Sequence, residues 1–226
     1  MSYKTKNVMA IGAHPDDIEF GCSGTIYNHT QQDDNVVMVI MTNTKSVDGV
    51  TGKVLRTKKQ NQEETINSAK VLGCKIEFLP FKDLHVPFSF ESVSKLETLI
   101  KKHDIDTIYT HWAGDANQDH IATFKTTMAA GRYVPNVFCY EQIPIPRVSE
   151  NSMNQNYYVD ITKSFDKKIE ASSCHKSQIK KYMNHGFDVP KNLKTLAKFR
   201  GIQANCKYAE AFQVIKMVGG RNEYRI

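Results

Sequence analysis

The feature that most constrains this chain is a regular alternation of short apolar runs with longer segments of helical spacing. Asn7 to Gly12 is an apolar run ending in glycine, Phe20 to Gln31 has helical spacing, and Asn35 to Thr42 mixes valine, isoleucine and methionine as a buried strand does. Lys59 to Leu72 then predicts a helix closed by Gly73, Lys75 to Leu79 a strand, Ser92 to Lys102 a helix and Asp106 to His111 a strand. Such alternation demands parallel strands joined by helical crossovers. Further on, Asp119 to Ala130 predicts a helix, Asn136 to Tyr140 and Tyr157 to Ile161 strands, Lys163 to about Lys181 a helix, and Ala211 to Met217 a run returning to the sheet. The expected fold is α/β: a mostly parallel sheet with helices on both faces. The 226 residues fit a single domain, 1–226, because cores split only beyond roughly 250 to 300 residues.

Composition narrows the function classes. With 40% hydrophobic and 24% charged residues the chain is that of an ordinary globular protein, not a disordered or fibrous one. The net charge of +6 suits an anionic small molecule, such as a phosphate- or nucleotide-linked sugar. The pairs Lys58-Lys59, Lys101-Lys102, Lys167-Lys168 and Lys180-Lys181 read as helix-surface charges, without the dense basic stripe of a nucleic-acid binder, so no nucleic acid is expected. Five well-separated cysteines without a CxxC read as reduced thiols, most of them in the core. The apolar run Val8 to Ala13 is too short for a signal sequence or a membrane span, so a cytoplasmic protein with no membrane span is expected. A homo-oligomer is compatible with all of this.

In open parallel sheets ligands bind beyond the carboxyl ends of the strands, so chemistry-bearing residues should follow strands. His14, Asp16 and Asp17 follow the first, Thr42 to Thr44 the second, and His111 with Asp115 to His120 the fourth. His14, Asp17 and His120 make a candidate metal set, since two imidazoles, one carboxylate and an open position describe a catalytic zinc site; the same donors also suit iron. A turn with Pro15 can bring residues 14 and 17 onto one ion, which leaves Asp16 as a candidate general base. The plainer reading is that Asp16-Asp17 only caps a helix and that the histidines are ordinary core or surface groups. Two stretches without regular structure, Asn43 to Leu55 and Glu141 to Asn156, are long enough to be functional, with Lys53 and Arg147 as candidate contacts for an anionic group.

Two separated motifs sharpen the choice. His14-Pro15-Asp16-Asp17-Ile18-Glu19, followed by Gly21 and Gly24-Thr25-Ile26, and Asp115-Ala116-Asn117-Gln118-Asp119-His120-Ile121-Ala122-Thr123 together resemble the motifs of the LmbE-like (PIG-L) deacetylases. Glu64 with Ala69 and Leu72-Gly73, Asp160-Ile161-Thr162, His175-Lys176-Ser177-Gln178, and Tyr208 to Phe212 extend the resemblance over nearly the whole chain. It implies a Rossmann-like sheet, a single zinc and removal of the acetyl group from an N-acetylglucosamine-type small molecule. It also implies His14, Asp17 and His120 as zinc ligands, Asp16 as catalytic base, and His175 as a substrate-facing residue, against its alternative as a buried histidine. Asn117 stands where many members have a histidine; an amide can donate to an oxyanion but delivers no proton. Proton delivery then falls to Asp16, His111 or His175. Asn61 stands where members often have an arginine, with Arg56 the nearest replacement. Asp119 is expected to orient a metal-bound imidazole or to cap the following helix, and Glu210 to support the site.

Two other readings compete. A nucleotide-binding Rossmann-like protein has little support, because Gly21 to Gly24 gives only a Gly-x-x-Gly fragment. A metal-binding relative without catalysis is kept open by Asn117 and opposed by the intact Asp16.

Overall fold

The computed structural model describes residues 7–48, 50–143 and 152–219. Strands β1 (Asn7–Gly12), β2 (Asn35–Thr42), β5 (Lys75–Phe81), β6 (Thr107–Thr110), β7 (Asn136–Tyr140), β8 (Tyr157–Asp160) and β9 (Ala209–Met217) build one seven-stranded sheet. A separate hairpin, β3 (Ser46–Val47) with β4 (Val54–Arg56), occupies the stretch expected to lack regular structure. The main order is β5-β2-β1-β6-β7-β9-β8, and β9 alone runs against its neighbours. The order reverses between β1 and β6, so the crevice beyond their carboxyl ends is the place where such a sheet binds ligands.

The two faces of the sheet follow from strand alternation. Val8 and Ala10 of β1 and Val36, Met38 and Ile40 of β2 pack with α1 (Asp17–Thr30), α2 (Lys58–Leu72) and α5 (Phe165–Ser173). Met9, Ile11, Val37, Val39 and Met41 pack on the other face with α3 (Phe90–Lys102) and α4 (Gln118–Ala130). Helix ends carry ordinary chemistry: the Thr57 hydroxyl accepts from Gln60 N, Ser89 and Ser92 form a capping box, and Gly73 closes α2 at φ 71°.

Three expectations need correction. The segment 163–181 is not one helix: α5 ends at Ser173 and α6 (Lys176–Asn184) starts anew, because His175 takes ψ 57° and turns its ring inward. A further helix, α7 (Val189–Gln203), was not expected; Asp188 caps it and Pro190 lies in its first turn, both recognisable start signals. Lys168 is not a surface charge but is buried. Of the cysteines, all free, only Cys22 and Cys139 are fully buried, so the expectation of mostly core thiols holds for two of the five. Among the described residues no helix is long and apolar enough to cross a membrane.

Lys168 and Glu210 explain the shape of the first motif. Helix α1 is broken at Cys22 (φ −141°, ψ 17°), which frees carbonyls before the break and N–H groups after it. The Glu210 carboxylate accepts from Gly24 N at 3.0 Å and from Thr25 N and Oγ1 at 2.7 and 2.6 Å. Lys168 Nζ donates to Phe20 O at 2.9 Å, Glu19 O at 3.3 Å and Glu210 Oε1 at 2.7 Å. The break is thus capped on both sides by one buried ion pair. Gly21 permits it by lying against Tyr140: a Cβ there would fall 2.4 Å from the ring. Removing one partner strands the other charge, at a cost of about 3 to 5 kcal/mol. Lys168→Met is expected to lose about that much in urea denaturation, with a larger loss than Lys167→Met at the exposed neighbour.

Candidate active site

His14, Asp17 and His120 converge from three places, as the motif spacing suggested. His14 follows β1, Asp17 opens α1, and His120 lies in the first turn of α4 after β6. One donor atom from each lies within 4.8 Å of the others. His14 Nδ1 is 3.5 Å from Asp17 Oδ2, and His120 Nε2 is 3.4 Å from Asp17 Oδ1. The far nitrogen of each ring is held by a carboxylate: His14 Nε2 by Asp119 at 2.9 Å, His120 Nδ1 by Asp115 at 2.8 Å. These bonds fix the tautomers so that His14 Nδ1 and His120 Nε2 are left to face Asp17, the arrangement that readies histidines for a metal. Asp119 therefore serves His14 and not its neighbour His120, since consecutive helical residues point to different faces. The helix cap is Asn117, whose Oδ1 accepts from Asp119 N at 2.9 Å.

Asp17 is the most heavily engaged group. It accepts from His14 N at 2.7 Å and Gln142 Nε2 at 2.6 Å, and Oδ2 is 3.1 Å from His111 Nε2. Burial works against its charge, but His120 above all outweighs it and holds the carboxyl well below its ordinary range. Burial likewise opposes charge on His14, yet Asp119 and Asp17 push that imidazole up to about 10. His111 goes the other way: burial and then the charge of His120 bring it down to about 4, so it is neutral at physiological pH. Its ring stacks on His120 at 3.9 Å, and Ala13 N donates to its Nε2 at 3.0 Å.

Asp16 differs from Asp17 in every respect. Its backbone is left-handed, φ 107° and ψ −23°, and although it stands at the N-cap position its side chain caps nothing. It lines a cavity of about 690 Å³, large enough for a drug-sized or disaccharide-sized ligand. Burial raises its carboxyl to about 6 against the lowering charge of Arg56. A dication at the neighbouring donors would pull it back down.

The remaining residues sort by position. Asn117 lines the cavity, and with its oxygen occupied by the cap its amide N–H2 is left to donate there. His175 does not face the cavity: it is fully buried, with Nε2 3.0 Å from Glu19 Oε1. Burial opposes its charge but Glu19, and then Asp16, raise it. Glu19 also accepts a short hydrogen bond from Ser68. Lys53 is exposed and absent from the cavity wall, and Arg147 lies outside the described residues. Gln142 had not been singled out, and Asp115, named as the start of the second motif, had been given no role; five residues before His120, it was open to recognition as a carboxylate within reach of the same turn.

The strand-order switch point thus carries a buried His-Asp-His set able to hold a metal ion, beside a second, cavity-facing carboxylate. The chain belongs to the PIG-L family, GlcNAc-PI de-N-acetylase, whose model matches residues 9–131. It is 33% identical over 186 residues to the uncharacterized deacetylase YaiS of Escherichia coli K12, covering 77% of this chain and 92% of that one. It is 26% identical to the diacetylchitobiose deacetylase of Thermococcus kodakarensis, covering 93% and 83%. Its fold is shared with GalB, a 4-carboxy-2-hydroxymuconate hydratase from Pseudomonas putida KT2440, at TM-score 0.79, 22% identity and coverage of 97% and 100%.

A non-glycine residue at φ 107° stores on the order of 1 to 3 kcal/mol of strain. Asp16→Gly is therefore expected to raise the thermal midpoint by a few degrees, measured by calorimetry, while abolishing any chemistry that needs the carboxylate.

Proposed function

We propose that the protein is a zinc-dependent hydrolase that removes an N-acyl group, acetyl above all, from an amino sugar or amino-sugar conjugate. The observation that carries this reading is the pairing at one switch point of the converged His14, Asp17 and His120 with a separate carboxylate, Asp16, that faces the cavity and caps no helix. The donor set fits zinc: two neutral-capable imidazoles with their far nitrogens anchored and one carboxylate. Zinc held there supplies Lewis-acid polarisation and brings a bound water toward a pKa of about 7.

The chain's own residues do the rest. Asp16 accepts the proton of the attacking water as its oxygen adds to the acyl carbon. The Asn117 amide donates to the oxygen that gains charge, the kind of contact worth roughly 3 to 4 kcal/mol where it has been removed. The C–N bond then breaks, and the proton on Asp16 passes to the departing amine, giving a free amino sugar and acetate. His111 is neutral and His175 faces away, so neither competes with Asp16 for that last step.

Purified wild type is expected to hold about one zinc per chain by mass spectrometry. Asp17→Ala should lose it, and Asp16→Asn should keep it while amine release from N-acetylglucosamine derivatives falls by about 10² to 10⁴. Zinc bound without amine release from any N-acetyl sugar would overturn the hydrolase reading, and hydration of an enol acid instead would point to the hydratase branch of the fold. The raised His14 and His120 set the pH dependence: protonated imidazoles compete with the ion, so affinity falls as pH drops below about 10, where His14 takes up its proton, and uptake at pH 7 releases at least about one proton. Calorimetry in buffers of different ionisation enthalpy measures that release.

A further inference from the structure

The cavity wall carries a strong charge that amide hydrolysis does not use. Arg56, the last residue of β4, is only 6% exposed and lines the cavity. Its Nη1 is fully buried and has no hydrogen-bond partner among the described residues. Among the described residues the buried Lys168 and the half-buried Arg200 are both paired. Lys168 has three acceptors, and Arg200 is paired with both oxygens of Glu141. A guanidinium is an obligate cation with five donors in a planar fork, and leaving it buried and unpaired is costly unless a ligand meets it. Asp16 lies close enough to feel its charge but is not hydrogen bonded to it.

A second cation stands on the same wall. Gln178, Lys181 and Tyr182 of α6 all line the cavity, and their i, i+3, i+4 spacing places them on one helix face. Lys181 is exposed, a mobile charge at the edge of the cavity, whereas Arg56 is fixed within it.

Building on the deacetylase reading, we propose that Arg56, assisted by Lys181, forms a subsite for an oxyanion carried by the substrate, so that the preferred substrate is an acidic N-acetylamino sugar and not a neutral one. Planar forked recognition suits a carboxylate or a phosphate equally, and the assay separates the two sources.

The experiment compares kcat/KM for N-acetylglucosamine, its 1- and 6-phosphates and N-acetylmuramic acid in the zinc-loaded protein and in Arg56→Gln. At least one acidic sugar should exceed the neutral one tenfold or more, and Arg56→Gln should reduce that ratio by tenfold or more, through KM. The acidic sugar with the largest ratio identifies the oxyanion. Calorimetric titration with glucosamine 6-phosphate and glucosamine gives a readout free of turnover, in which Arg56→Gln removes the preference for the phosphorylated ligand. Should Arg56→Gln fail to fold, Arg56→Lys and Lys181→Gln carry the same comparison, each with a partial loss of the ratio. Equal losses for acidic and neutral sugars would overturn the subsite and leave Arg56 as a counter-charge to Asp16. No amine release from any of the sugars would instead defeat the deacetylase reading on which the subsite rests.

Discussion

The carboxylate of Asp17 is the point at which the site is tied to the fold. A buried carboxylate is tolerated only when its lone pairs are met, and here they are met from three separate strand ends. The His14 amide comes from the end of β1, the His120 ring from beyond β6 and the Gln142 amide from beyond β7. Strand order brings those ends together because the sheet reverses direction of growth between β1 and β6. A single side chain thereby fixes the separation of three loops, and the two ring nitrogens that face it inherit that precision. Asp115 and Asp119 complete the arrangement by holding each ring from behind.

Adjacent carboxylates in one motif receive opposite treatment. Asp17 lies inside the first turn of α1, where donors surround it and keep it ionised. Asp16 is pushed by its left-handed backbone out of the helix line and into the cavity, where burial favours its neutral form. Two environments one residue apart thus separate a structural anion from a group able to take up and return a proton, the pattern by which acid and base roles are assigned in many sites.

Much of this was legible in the sequence, and the failures have physical reasons. Strands β1, β2 and β7 matched their expected bounds because they are continuous and buried from their second residue on. Helix α7 escaped because its buried positions, Val189, Leu193, Ala197 and Gly201, form a single narrow stripe at four-residue spacing among lysines. The break at His175 could not be read from spacing, since it depends on a distant partner, Glu19. The same limit applied to the site. Motif residues close in sequence were identified, and Asp119 was expected to orient an imidazole, whereas which imidazole it holds and the contact from Gln142 depend on approaches across the sheet.

The ion pair that caps the broken α1 reaches across 186 residues, from Gly24 to Glu210. Both sequence motifs lie in the first 123 positions, yet the bend that aims the first of them is sealed by β9. During synthesis the amino-terminal half therefore leaves the ribosome with unsatisfied helix groups and an unfinished cavity floor, and must wait for β9. Loop closure over such a distance is slow compared with local helix formation, so the catalytic geometry is among the last features to form. The geometry of the site thus arrives only once β9 has been made, which makes that distant strand as necessary to the first motif as the motif's own residues.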